Sequence, residues 1–256
     1  PLLVWWAIED KAVAHRDEAL ELIATPDLRR QPLVRQYITE RLARRHAAEE
    51  SEAGFDACAR LIITAPTPGD TDLVISGMEQ ALAGRRLDRV PTVLVKPLTK
   101  LLKERGDDPS VIRFAARLGS PEAWQTALEI ISRHANGDGD SANRVALVEI
   151  LGQSGKAECA PVLLQLFKRD EPDAVLTATL SALQRFDRPE IATEILQGFS
   201  RLKPALRPMA ADLLSSRAEW SVALLQFVEN KLMPPSTIRL DQLRRMLLQK
   251  DDRIAK

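Results

Sequence analysis

The sequence predicts an all-α protein, one continuous stack of about seven helical hairpins. Three observations carry that prediction. Of 256 residues, 37 are Leu and 33 Ala but only 11 are Gly and 11 aromatic, which favours helices over the β-branched, aromatic and turn-Gly usage of sandwiches and barrels. Apolar residues recur at spacings of three and four, with polar, Gly or Pro punctuation every dozen or so positions. The leucines that close successive first helices, Leu118, Leu151, Leu183, Leu214 and Leu247, lie 33, 32, 31 and 33 residues apart.

In chain order, the first hundred residues predict three pairs, with helices near 1–13 and 16–24, 32–46 and 49–64, and 70–83 and 91–104. Residues 108–118 carry Val111, Ile112, Ala115 and Leu118, and 121–134 carry Trp124, Leu128 and Ile131 behind Pro121, which suits a first helical turn. A helix near 141–151 is expected to end at Leu151-Gly152, and its partner near 156–168 puts Cys159, Val162, Leu163, Leu166 and Phe167 on one side. Pairs near 172–186 and 189–201, then 204–215 and 217–231, repeat the scheme, and 236–249 opens one more. The most polar connections, Ala65–Thr71 and Asn136–Ser141, read as loops rather than domain linkers.

A two-helix unit cannot hide its apolar stripe alone, so neighbouring units must stack and share a core between two helical layers. Side-chain identity between the units is low, and neither TPR signatures nor the ankyrin TPLH motif occurs. The pattern is that of degenerate HEAT-like repeats: a right-handed α-α superhelix forming a single domain over residues 1–256.

Charge is balanced at 36 basic and 36 acidic side chains, which removes the usual reason to expect a polyanion as the main partner. No apolar run approaches the roughly 20 residues of a membrane span, and no export signal is recognisable. Because the chain begins at Pro1 without Met, a piece of a longer polypeptide is expected. Two cysteines, Cys58 and Cys159, make no CxxC or CxxCH motif. They fall on the second helices of the second and fifth pairs, too far apart to bridge, so both should be free and buried.

Candidate chemistry is sparse. His15, His46 and His134 are separated in sequence and lie in no HExxH or His-Glu pair, so surface or capping roles are expected. The stretch Asn136-Gly-Asp-Gly-Asp-Ser141 spaces oxygen ligands as a calcium loop begins, but Ser141 and Leu147 stand where that loop needs Gly and Glu; a loop capping the next helix is simpler. Two basic clusters are the better lead. Arg29, Arg30, Arg35, Arg41, Arg44 and Arg45 form the first; Arg85, Arg86, Arg89, Lys96, Lys100, Lys103 and Arg105 form the second. On one side of the stack they would make a positive stripe; as solvated helix faces they would not. Trp5-Trp6, after Leu2, Leu3 and Val4, predicts an exposed apolar patch at the N-terminal end, where a solenoid lacks a polar capping repeat.

The opening PLLVWWAIEDKAV, the degenerate helical pairs and the closing TIRLDQLRRMLLQKDDRIAK resemble the HEAT-like central region of large exported proteins of the planctomycete and verrucomicrobial type. In that family a sugar-dehydrogenase-like β-propeller precedes the helical region and a cytochrome-c-like domain with CxxCH follows it. The resemblance implies an extracytoplasmic spacer between catalytic or electron-transfer modules, with no haem ligand and no cofactor in this segment.

The expected function is therefore a non-enzymatic scaffold that docks neighbouring domains or another protein. Its partner surface would draw on Arg41, Arg44, Arg45, Lys96, Lys100, Lys103, Trp5 and Trp6. The rival is a nucleic-acid-binding repeat protein resembling the alkylpurine DNA glycosylase type.

Overall fold

A computed structural model describes residues 2–133 and 141–255. Among these residues the chain is all-α, with 74% helix and no strand. It divides into two compact units, residues 1–127 and 128–256, with the boundary inside one helix.

In the first unit, α1 (Leu2–Ala12) pairs with α2 (Arg16–Ala24). A four-residue helix that the sequence pattern does not predict, α3 (Pro26–Arg29), then leads into a π-helical turn at Val34–Ile38 and α4 (Thr39–Ala47). The expected helix at 32–46 is thus one rod with a widened turn, in which the Thr39 N–H donates to the Val34 carbonyl five residues back. Next come α5 (Glu52–Ile63), α6 (Pro68–Ala81), α7 (Thr92–Arg105), α8 (Pro109–Arg117) and α9 (Pro121–Ser132), the helix that the boundary divides so that its end belongs to the second unit. Starts are set locally. Ser51, Thr67 and Asp108 accept N–H bonds from Gly54, Asp70 and Ser110, and Pro68 and Pro109 occupy first-turn positions where no N–H is needed. The cap at Ser51 explains why α5 begins at Glu52, three residues after the expected 49.

Packing in this unit follows two alternating series. Helices α1, α4, α6 and α8 succeed one another in one layer, and α2, α5 and α7 in the other. Gly77 of α6 lies so close to α4 that a Cβ there would overlap the Glu40 carbonyl oxygen.

The second unit holds α10 (Ser141–Ser154), α11 (Cys159–Phe167), α12 (Asp173–Leu183), α13 (Pro189–Gly198), α14 (Arg207–Leu214), α15 (Ala218–Glu229), α16 (Leu240–Leu247) and α17 (Asp252–Ala255). Here α10, α12 and α14 form one series and α11, α13, α15 and α17 the other. The short α17 pairs with α16, completing the hairpin that residues 236–249 were expected to open.

Two expectations need correction. Gly152 does not end α10, which continues to Ser154. Its missing side chain serves a helix crossing instead, because a Cβ at 152 would stand 2.7 Å from the Ala182 Cβ on α12. The closing leucines Leu118, Leu151, Leu183 and Leu214 are fully buried, but Leu247 is 51% exposed. Leu240, Leu243 and Leu248 are exposed with it, an apolar surface on and just after α16.

Both cysteines are buried thiols outside any disulfide, on α5 and α11. His134 and the calcium-like stretch from Asn136 to Asp140 lie outside the described residues; Ser141 is the first residue of α10.

Candidate partner surface and basic sites

The period seen in the sequence recurs in the polar contacts. Within the first unit Arg16 reaches Glu49, Arg35 reaches Asp70, Arg44 reaches Gln80, Arg105 reaches Asp72 and Arg113 reaches Glu79, across separations of 33 to 36 residues. Within the second, Arg253 reaches Glu219 and Gln249 reaches the Ser215 carbonyl, both across 34. Arg105 and Asp72 close one hairpin, α6 with α7, and the other contacts join one hairpin to the next. Arg113 and Glu79 make the strongest geometry, a two-pronged pair at 2.8 and 2.6 Å.

This use of arginine dismantles much of the expected positive stripe. Arg86 donates to the Ala116 carbonyl at 3.2 Å and stacks over Trp124; Arg85 pairs with Glu50. Arg41 donates to the Tyr37 carbonyl at 2.9 Å beneath its own ring contact to Tyr37. The cations expected on the partner surface divide between layers. Arg41, Arg44 and Arg45 stand on α4, whereas Lys96, Lys100 and Lys103 form one exposed row on α7 in the other layer. The two sets are not one face of the unit.

The two tryptophans also separate. Trp5 is buried, while Trp6 is 58% and Leu3 77% exposed, with Leu2 exposed beside them. Leu2 and Leu3 lie four and three residues before Trp6, so all three share one face, which Glu9 and Asp10 continue toward the helix C-terminus. The adjoining flank of α1 opens into a shallow groove of about 410 Å³ against α2, floored by Ala7, Ile8, Ala19, Leu22 and Ile23. An exposed, contiguous apolar patch with a charged border is the signature of a docking surface rather than of scattered surface leucines.

Two polar features were not legible as sites, and a third regroups part of the first basic cluster. The first centres on His46, expected at the surface but fully buried on α4. Its Nδ1 lies 3.1 Å from Glu49 Oε1, and Glu49 in turn accepts from Arg16 at 2.6 Å. Burial pushes the imidazole below its ordinary value, only partly offset by the bond to Glu49. Burial would raise Glu49, but its bonds with His46 and Arg16 outweigh that and hold it below the ordinary carboxylate value. Cys58 packs nearby, donating to the Ala43 carbonyl at 3.5 Å, and burial pushes its thiol up to about 12. A thiol so far from ionising is packing material rather than a nucleophile.

The second is a pair of buried arginines that cap helices. Arg117 Nη1 donates to the carbonyls of Leu82 and Arg85 at 3.0 and 2.8 Å, past the end of α6. Arg144 Nη1 does the same for Ile130 and Arg133 at the end of α9, at 3.0 and 3.1 Å. Helix C-termini leave carbonyls without intrahelical partners and carry negative dipole ends, so a guanidinium is a fitting cap. The third is a pocket where Arg29, Arg30 and Arg35 converge.

Among the described residues, no group of three or more His, Cys, Asp or Glu side chains could hold a metal ion, and no helix is long and apolar enough to cross a membrane. In comparisons with known proteins, no family model, no curated protein and no solved structure matches the chain.

Proposed function

We propose that the chain is a non-catalytic scaffold, a HEAT-like helical-repeat superhelix that docks neighbouring domains or another protein. By the resemblance of its sequence, it would do so within a larger exported protein of the dehydrogenase and cytochrome type. The observation that carries the reading is the α1 face, where Leu2, Leu3 and Trp6 stand exposed beside an apolar groove. Two further features support it. Hairpins succeed one another in two alternating series within each unit, and side-chain bonds one repeat apart tie them together. Helices tied together in this way within a unit would hold attached partners at fixed positions, the use stacked repeats commonly serve.

Light scattering over a concentration series tests the docking face. Without its partner, the α1 face should drive self-association at high concentration, and Leu3→Glu with Trp6→Glu should restore a monomer without loss of helical content. A strict monomer at high concentration for the unsubstituted chain contradicts the reading. The rival, a nucleic-acid-binding repeat of the alkylpurine DNA glycosylase type, has the exposed lysine row of α7 in its favour.

A further inference from the structure

One pocket of the first unit gathers arginines instead of spending them one repeat at a time. It is bounded by the end of α2, by α3, by Arg35 in the π-helical turn and by the connection from α5 to α6. Its volume is about 350 Å³, and Arg29, Arg30, Arg35, Thr64, Thr67 and Asp70 provide its polar lining.

Two of the three guanidinium groups are already fixed. Arg29 Nε donates to the Ile23 carbonyl at 3.1 Å and Nη2 to Thr64 Oγ1 at 2.7 Å, while Nη1 reaches the Thr64 carbonyl. A guanidinium has five N–H groups, so some remain for a visitor. Arg35 is held through Nε, 3.0 Å from Asp70 Oδ1. Arg30 is exposed at the rim. Asp70, the one carboxylate of the lining, also accepts from the Thr67 hydroxyl at 2.5 Å. Thr67 caps the 14-residue helix α6, so the positive end of that helix opens at the same place.

Three guanidinium charges against a single carboxylate leave the lining with two positive charges in excess. We propose that this pocket binds a phosphate group, held by Arg29, Arg30 and Arg35 as a phosphate monoester dianion. The charge selects the class, since a dianion balances the excess whereas a single carboxylate leaves half of it uncompensated. Geometry favours it as well. Planar guanidinium groups pair with phosphate oxygens in two-pronged fashion, and groups already held by protein acceptors lose less freedom on binding than mobile surface side chains. Burial lowers Arg29 below its ordinary value, with Asp70 opposing, so this cation stands in partly dehydrated surroundings where an anion is attracted more strongly than in open water. The pocket is distinct from the α1 apolar face, and the proposal does not depend on the docking reading.

The phosphate could belong to a phosphorylated side chain of a partner or to free phosphate, and titration calorimetry at constant ionic strength separates the two. The probes are inorganic phosphate, a short Gly/Ser peptide carrying one phosphoserine, and the same peptide unphosphorylated. Saturable heat is expected with the phosphate probes and none with the unphosphorylated peptide. Arg30→Ala, at an exposed position that leaves the melting temperature unchanged, should weaken binding at least tenfold, while Arg44→Ala on α4 outside the pocket leaves it intact. A phosphopeptide at least tenfold tighter than inorganic phosphate assigns the site to a partner, and a smaller difference assigns it to the free anion. The proposal is overturned by an absence of saturable phosphate binding into the millimolar range, by equal binding in Arg30→Ala, or by equal binding of both peptides.

Discussion

Arg144 on α10 and Glu171 before α12 meet at 2.8 Å, each side chain only 1% exposed. The same guanidinium caps the end of α9, so one side chain joins three segments of the second unit. Removing one partner leaves the other charged and buried. Glu171→Ala should therefore cost about 3–5 kcal/mol in urea unfolding, whereas Arg144→Met with Glu171→Leu should recover a large part of that loss, because a hydrophobic pair carries no dehydrated charge. Equal losses in both variants would contradict this account.

Stability should fall with acid in two separable windows. The unfolded chain takes up a proton on His46 near its ordinary 6.5, and the buried folded imidazole resists it, so this contribution is full above that pH and shrinks as pH drops below it. Glu49 is displaced downward from its ordinary 4.5, so what it adds is lost only at lower pH. His46 faces Glu49, Arg16 and Arg45, of which only Glu49 titrates in the acid range. In unfolding measured from pH 7 to 5, His46→Gln should flatten the slope of the upper window; an unchanged slope would place the titration elsewhere.

Gly152→Val should destabilise the second unit by about 1–3 kcal/mol, since the new atoms must force α10 away from Ala182 on α12. A melting temperature within error of the parent would refute the close crossing.

Lys96, Lys100 and Lys103 offer duplex DNA a row of only three charges. Under the scaffold reading, fluorescence anisotropy at low salt shows no saturation at micromolar protein. Micromolar binding that weakens steeply with salt, and that Lys96→Ala, Lys100→Ala and Lys103→Ala together abolish, would favour the nucleic-acid reading instead.

Helix positions were legible because they rest on local chemistry. Apolar spacing and Pro at first turns act within a few residues, and the helices of the structure follow them closely, while the caps at Ser51, Thr67 and Asp108 set starts that the spacing alone left approximate. Departures from expectation lie where a neighbour decides. Gly152 looks like a stop signal until Ala182 is set against it. His46 looks like a surface residue until Glu49 and Arg16 enclose it. The pairing of arginines went unread, although opposite charges recur one repeat apart at Glu79 and Arg113 and at Glu219 and Arg253.

The sequence by itself determined that the chain is helical, roughly where each helix runs, that its length repeats near 32 residues, and that Trp5 and Trp6 begin it with an apolar face. Only the tertiary structure decided which charges are spent and which stay available. Thus Arg41 and Lys96 fell on different layers, Arg144 went into the core with Glu171, and Arg29, Arg30 and Arg35 came around one pocket. The reason is range: apolar periodicity acts within one helix, whereas the fate of a long charged side chain depends on what the next hairpin brings within about 3 Å of its tip.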